Sequence, residues 1–316
     1  MINDEGRGPG RPSVAVRPLT LAWVERQLEA GEAVVGVAAL HGGITAEMRR
    51  LTIAAPDGGT RELVLRSFVD VERSDEWLGR EAGALTLLAA SVVPAPGLVG
   101  FDPAAEQCEY PSLLMTHLAG RTVLRDECLS ERVAALARQL VEIHAVRPVE
   151  RPGEYVALTT ADTVVPPKGS DAAVWAAAIE VIREPAPAYD GRFLHRDFQP
   201  GNVLFEGSRI TGVVDWAGAC WGPTDLDVAH CATNLALLHG TAWGLRFAAA
   251  YEEAGGVLAA NASERLYWQV RDPLAASEDV EFFSQPWREA GRPELTTQAV
   301  EQRLDAYVIA VMDALG

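Results

Sequence analysis

The four cysteines, Cys108, Cys128, Cys220 and Cys231, form no CxxC pair, and no histidine stands at zinc-ligand spacing to them. A zinc ribbon and a thioredoxin-type redox motif are therefore excluded. Scattered, mostly apolar-flanked cysteines read instead as reduced core thiols of a cytoplasmic protein. No apolar run approaches the roughly 18 residues of a membrane span, so no membrane partner is expected. The start, Met1 to Ser13, is rich in Gly, Pro and charge and lacks the apolar run of a signal peptide, so it reads as a disordered lead-in. Basic residues are scarce as well: 27 Lys and Arg face 44 Asp and Glu, for a net charge of −17. A nucleic-acid binder carries a basic stripe, and none is present. Internal repeats, a G-x-x-x-x-G-K-[ST] loop and a G-x-S-x-G elbow are all missing, which excludes solenoids, P-loop enzymes and elbow-type hydrolases. The acid surplus has two readings: a solvated surface that aids solubility, or a weak preference for cationic or neutral small partners.

What remains is ordinary globular material. The 316 residues, 48% hydrophobic and 22% charged, suit one large domain or two modest ones. The first part reads as β-rich. Ala33 to Leu40 is a short apolar run, broken by His41-Gly42-Gly43-Ile44-Thr45; Met48 to Ala54 and Glu62 to Phe68 form strands around a Pro56-Asp57-Gly58-Gly59 turn. Trp77 to Ala90 has helical spacing, and Val93-Pro94-Ala95-Pro96 ends it. Leu98 to Phe101 and Ser112 to Thr116 add two strands. After Gly120 the character changes. Glu131 to Ala145 carries Val133, Leu136, Leu140 and Val141 on one face, Val174 to Ile182 is a further helix, and Thr224 to Leu315 is Ala- and Leu-rich and mainly helical. Three segments result: a disordered 1–13, a small β-rich lobe over 14–117 and a larger helical lobe over 118–316.

The most informative stretch is His195-Arg196-Asp197-Phe198-Gln199-Pro200-Gly201-Asn202, which fits the H-R-D-x-x-x-x-N pattern of a kinase catalytic loop. The spacing has a chemical reason. A carboxylate must orient an acceptor hydroxyl and take its proton, while an amide oxygen five residues on turns back toward Mg²⁺ on the phosphates. Pro200-Gly201 makes that turn. Thirteen positions after Asn202 comes Asp215, in Val213-Val214-Asp215-Trp216. Between them, Val203-Leu204-Phe205, a Glu206-Gly207-Ser208 turn and Ile210 to Val214 read as a hairpin, which returns Asp215 to Asn202 as an oxygen pair for Mg²⁺. The alternative for Asp215 is a cap on the following turn.

These residues give the chain its resemblance. It is similar to the aminoglycoside phosphotransferase and choline kinase-like family, over roughly Ala33 to Leu315. The features carrying the likeness occur in order: the Leu63-Val64-Leu65-Arg66 strand, Glu81 in the next helix, the 93–96 proline pair, Leu113 to Gly120, the catalytic loop and Val214-Asp215-Trp216. The resemblance implies an α+β, protein-kinase-like bilobal fold and transfer of the γ-phosphate of ATP or GTP to a hydroxyl of a small molecule. It implies Asp197 as the catalytic Asp and Asn202 and Asp215 as Mg²⁺ ligands. Arg66 stands where a kinase strand presents its phosphate-binding Lys, with Glu81 aiming it; the swap matters because Arg binds as a planar fork and Lys as a point charge. Gly42 and Gly43 sit where a phosphate-covering loop belongs, although a plain hairpin fits them as well. Thr116 to Leu118 would offer backbone to the purine. Asp227, in Gly222-Pro223-Thr224-Asp225-Leu226-Asp227, would brace the catalytic loop.

His195 is expected to hold the loop, His144 to be a satisfied core histidine, and Trp216, Trp221 and Trp243 to pack in the core more than to line a cleft. Two other functions compete. A protein Ser/Thr kinase is disfavoured because Trp216-Ala217-Gly218 follows Asp215 in place of Phe-Gly and no Ala-Pro-Glu segment closes an activation loop. A non-catalytic nucleotide-binding regulator would usually have lost one of Asp197, Asn202 and Asp215, and all three are present. Glu278-Asp279-Val280-Glu281, followed by Phe282, Phe283 and Trp287, suggests a cationic or polar acceptor held in the helical part, against the plainer reading of a solvated acidic run beside core aromatics.

Overall fold

The computed structural model describes residues 15–40, 46–69, 74–157 and 159–316. The Gly42-Gly43 segment and the 1–13 lead-in lie outside these residues. The chain divides into two compact units. One comprises the residues up to Leu78 together with Leu98–His117; the other comprises Gly79–Gly97 and Leu118–Gly316.

In the first unit, helix α1 (Pro18–Arg26) precedes β1 (Ala33–Leu40), β2 (Glu47–Ala54) and β3 (Thr60–Ser67). Helix α2 (Ser74–Leu88) then runs on into the second unit, and β4 (Leu98–Asp102) and β5 (Ser112–Thr116) complete an antiparallel sheet of order β1-β2-β3-β5-β4. The order follows from short connections: β1, β2 and β3 are a meander, and the β4–β5 hairpin adds beside β3. Leu51, Ile53, Leu63 and Leu65 pack with Trp23 and Val24 of α1; β2 shows the period-two burial that pins register, while β3 is buried on both faces from Leu63 to Ser67. Helix α1 has no cap of its own, since Arg17 offers no acceptor. Glu109 supplies one from the β4–β5 connection, accepting from the Leu19 and Thr20 amides at 2.7 and 2.8 Å. A carboxylate there meets the positive end of the helix.

The second unit is mainly helical. Helix α3 (Leu129–Ala145) buries Val133, Leu136, Leu140 and Ile143, the spacing of one helical face. Helix α4 (Ala172–Arg183) is capped by Asp171. Strand β6 (Arg192–Leu194) leads to the hairpin β7 (Val203–Glu206) and β8 (Arg209–Val213), and β9 (Cys220–Gly222) returns to pair with β6. Five helices follow: α5 (Thr224–His239), α6 (Thr241–Glu253), α7 (Ala262–Ala276), α8 (Val280–Glu289) and α9 (Thr297–Leu315). Helix α5 is apolar almost all round and is surrounded accordingly, with α6, α7 and α9 against it. Gly244 permits the α5–α6 approach, because a Cβ there would lie 2.7 Å from the Ala232 carbonyl oxygen.

The strand and helix expectations hold for β1 to β5, the β7–β8 hairpin and the helical remainder. Elements α1 and β9 are additions. Among the cysteines, Cys108, Cys220 and Cys231 are buried free thiols, but Cys128 is exposed. It sits at the head of α3 with φ 47°, outside the apolar face that buries its neighbours. Among the described residues no helix is long and apolar enough to cross a membrane.

The C-terminus of α5 carries a titrating weak point. The His239 ring is fully buried, hydrogen-bonded through Nδ1 to Asp126 at 2.6 Å, and its Nε2 has no partner among the described residues. Burial pushes its pKa down to about 4, against the pull of Asp126; Arg292 and Arg132 add to the lowering. The native ring is therefore neutral where the unfolded ring takes a proton, and stability falls as pH drops from about 6.5 toward 4. Urea unfolding of the wild type and His239→Gln at pH 7 and pH 4.5 should show a smaller loss for the variant, the difference not exceeding about 3 kcal/mol. Equal losses would assign the acid sensitivity elsewhere.

Candidate active site

The His195–Asn202 loop lies between two pinned strands. Strand β6 delivers it, and β9 returns from Asp215 to pair with β6, Leu194 opposite Cys220. Two non-glycine residues, Arg196 within the loop and Asp215 after the β7–β8 hairpin, adopt left-handed backbone at φ 68° and φ 66°. Each such residue costs on the order of 1–3 kcal/mol and persists only where its surroundings over-determine it.

The surroundings here are specific. Asp227 of α5 is fully buried, and its two oxygens accept from the backbone amides of His195 and Arg196, each at 2.8 Å. The His195 ring is buried against Trp216, with centroids 4.3 Å apart. Its Nδ1 accepts from the Asp197 amide at 3.2 Å, so Nε2 carries the proton and donates to the Val214 carbonyl at 3.0 Å. Burial lowers its pKa and keeps it neutral, as this double role requires. One imidazole thus ties the loop to the segment that carries Asp215. Asp227 is itself held by His144, whose Nε2 lies 3.3 Å away and whose Nδ1 meets the Tyr251 hydroxyl at 2.7 Å. Burial opposes the charge on Asp227, but His144 leads the groups that hold its pKa down to about 2. His144 is accordingly a buried histidine with both nitrogens satisfied, and Asp227 is the loop's brace. Trp216 and Trp221 are buried, and Trp243 is half-buried under the Arg246 guanidinium.

Asp197 is 39% exposed at its side chain. Its Oδ1 accepts from Gln199 Nε2 and His230 Nε2, both at 2.9 Å, and its Oδ2 from Asn202 Nδ2 at 2.7 Å. Desolvation works against its charge, but the His230 and Gln199 donors hold its pKa below the usual value. Asn202 Nδ2 also donates to the Asp197 carbonyl at 2.9 Å, which turns the amide oxygen away from that carboxylate. The hairpin then acts as expected: Val203 pairs with Val213, and the Val214 amide donates to the Asn202 carbonyl at 2.9 Å, so Asp215 follows directly on a residue bonded to Asn202.

The other expected positions are distributed over the two units. Arg66 is buried on β3 with its guanidinium 5.0 Å from the Phe68 ring centre, and Thr116 ends β5 opposite Leu63. Glu81 is buried on α2 and falls in the second unit, as does Leu118, which packs over Gly212. The acidic run 278–281 is internally engaged: Asp279 caps α8, Glu281 meets Arg288 and Thr297, and Glu278 accepts from Thr163. Phe282 is exposed and Trp287 buried.

Sequence reading did not find His230 and Asp272. The signal was present in α5: Asp227, His230 and Asn234 stand at i, i+3 and i+7, a polar stripe on a helix that is otherwise apolar.

An antiparallel sheet followed in the chain by a helical part that carries this loop is the α+β arrangement of the protein-kinase-like phosphotransferases. Residues 37–268 match the model of the APH phosphotransferase enzyme family, and the chain belongs to that family. It is a kinase-type phosphotransferase, as the resemblance implied. Solved structures agree on the fold. A candidate aminoglycoside phosphotransferase from Ralstonia eutropha aligns with TM-score 0.63 at 16% identity, over 93% of this chain and 96% of that one. Aminoglycoside phosphotransferase APH(4)-Ia, in a ternary complex with ADP and hygromycin B, aligns at 0.56 and 19% over 88% and 95%. Macrolide 2'-phosphotransferase MphH from Brachybacterium faecium aligns at 0.56 and 16% over 90% and 96%. A sequence search of curated proteins found no match.

The brace can be tested without a substrate. Asp227→Asn presents an NH₂ group where one of the two loop amides needs an acceptor. It should lower stability by about 1–3 kcal/mol, measured by urea denaturation. A variant as stable as the wild type would show that the loop does not depend on this carboxylate.

Proposed function

We propose that the protein transfers the γ-phosphate of ATP or GTP to a hydroxyl of a small organic acceptor, with Asp197 as the catalytic residue. The observation that carries the proposal is the hydrogen bonding of Asp197. A carboxylate has about four acceptor positions, and Gln199, His230 and Asn202 occupy three of them. The remaining position, on Oδ2, is free to receive a hydroxyl. A carboxylate so well supplied with donors is a weak base, so its main task is to orient the hydroxyl and to take its proton late, which suits a loose phosphoryl-transfer transition state.

Asn202 and Asp215 are the proposed Mg²⁺ ligands. Both offer hard oxygen, and the Asn202 amide nitrogen is already committed to Asp197, leaving its oxygen as the ligating end. Among the described residues no group of three or more His, Cys, Asp or Glu could hold a metal ion. Phosphate and water are proposed to complete the shell, the usual manner for this cation. When bound, Mg²⁺ neutralises phosphate charge. Arg66 is the proposed phosphate cation. The chain's one lysine, Lys168, is exposed in a turn, so β3 works with a fork of donors in place of a point charge. Glu81, Gly42, Gly43 and the Thr116–Leu118 backbone are proposed to complete the nucleotide site.

A small acceptor is favoured over a protein because α5 begins at Thr224, directly after β9, leaving no long segment between Asp215 and that helix. Relatives of the same fold bind hygromycin B or are named for macrolides. The net charge of −17 favours a cationic or polar acceptor through long-range attraction, although the 278–281 acids contribute less because of their internal partners.

A phosphorylation screen over hydroxyl-bearing metabolites and antibiotics, with ATP and GTP each supplied, tests the proposal. On the acceptor found, Asp197→Ala should lower kcat by about 10²–10⁴ with the protein still folded. Near-normal turnover would remove Asp197 from the chemistry. Asp215→Asn should raise the Mg²⁺ concentration needed for half-maximal rate, and Arg66→Ala should raise the nucleotide KM more than it lowers the melting temperature. An unchanged Mg²⁺ dependence, or an unchanged nucleotide KM, would count against the respective assignment.

A further inference from the structure

The Asp197 carboxylate has a companion that the catalytic-loop motif does not contain. His230, in the second turn of α5, is 15% exposed at its side chain and lies between two carboxylates. Its Nε2 donates to Asp197 Oδ1 at 2.9 Å and its Nδ1 to Asp272 Oδ1 of α7, also at 2.9 Å. A neutral imidazole has one N–H and can donate only once. Two carboxylate acceptors therefore call for the imidazolium. Burial works against that charge, but the flanking Asp272 and Asp197 outweigh it and raise the pKa to about 10. The residues are far apart in sequence, 33 positions for Asp197–His230 and 42 for His230–Asp272, so this is a tertiary construction.

We propose that His230, held by Asp272, is a positioning residue that sets the orientation of Asp197 for phosphoryl transfer. The proposal rests on the phosphotransfer reading above. Its logic is geometric. Asp197 can present either oxygen to an acceptor hydroxyl by rotating about its Cβ–Cγ bond. Asn202 binds Oδ2 and Gln199 binds Oδ1, but Gln199 comes from the same short loop and moves with it. His230 comes from a buried helix packed against α6, α7 and α9, so it refers the carboxylate to a rigid body. Its bond occupies Oδ1 and leaves the open position on Oδ2, the oxygen that also faces Asn202. Asp272 performs for His230 what His230 performs for Asp197: it fixes the ring plane and keeps both nitrogens protonated. Neutralising or deleting the ring leaves two carboxylates on either side of the gap without a cation between them, and Asp197 is then free to turn. A misplacement of about 1 Å in a reacting group costs about 10²-fold in rate.

The experiment compares the full chain with Asp197→Ala, His230→Ala, His230→Gln and Asp272→Asn, using the acceptor from the screen. The readouts are kcat, both KM values, melting temperature and response to added imidazole. His230→Ala should lose about 10²-fold in kcat while the nucleotide and acceptor KM stay within a few-fold. Added imidazole should restore part of the rate, entering by the exposed edge of the site; it should do nothing for Asp197→Ala. His230→Gln, which keeps a donor but no charge, and Asp272→Asn should fall between wild type and His230→Ala. If His230→Ala does not fold, His230→Gln and Asp272→Asn are judged by the same split of kcat from KM. Wild-type kcat in the histidine variants beside a dead Asp197→Ala would overturn the positioning role and leave the phosphotransfer reading intact. So would a kcat loss that follows the melting temperature and ignores imidazole. Full turnover in Asp197→Ala would instead sink the underlying reading.

Discussion

One buried carboxylate holds the His195–Asn202 loop in shape. Asp227 has no solvent to stabilise its charge, yet it stays ionised because two backbone amides and the His144 imidazole converge on it. In return it stabilises a backbone conformation that Arg196 would otherwise avoid. The exchange works in one direction only: remove the acceptor and two amides are left buried without partners, each a larger loss than a hydrogen bond is a gain. Asp227 also stands in the first turn of α5, where the helix favours negative charge. The loop is thereby fastened to the most deeply buried helix of its unit.

Helix α5 has a second office. Its apolar residues face α6, α7 and α9, while Asp227, His230 and Asn234 follow one another along a single polar face. Two of the three reach the loop, one through backbone amides and one through the Asp197 side chain. Because both contacts come from one rigid element, loop backbone and loop carboxylate are positioned together. The His195 ring adds a third tie, to the Val214 carbonyl one residue before Asp215. The His230 tie takes Asp197 Oδ1 and leaves a position on Oδ2 open, while the other two ties engage backbone only.

Much of the fold was legible in the chain because its signals are local. The strands Met48 to Ala54 and Glu62 to Phe68, the Pro56 to Gly59 turn and the helix Glu131 to Ala145 are patterns within a few residues, and each formed, although Ile143 and not Val141 fills the buried face of that helix. The short helix α1 escaped because its stabilising partner, Glu109, lies some ninety positions away. Cys128 departs from the other three because it follows the charged Arg125-Asp126-Glu127 stretch and stands at the N-cap of α3, ahead of the helix's buried face. The acids of 278–281 resembled a recognition patch until Arg288, Thr297 and Thr163 were seen to engage them.

By itself the sequence determined which residue types meet at the loop. The motif places Asp197 and Asn202 five residues apart, and the hairpin of two short apolar strands around Glu206-Gly207-Ser208 brings Asp215 back toward them. These are consequences of turn and strand geometry over some twenty residues, so no knowledge of the rest of the chain is needed. Tertiary structure alone decided that Asp197 is gripped from outside the loop. His230 and Asp272 lie on separate helices, and the polar stripe of α5 marks His230 without telling which carboxylates flank it. A charged ring between two carboxylates is stable only once folding has removed competing water, so that arrangement exists in the folded protein and nowhere in its sequence.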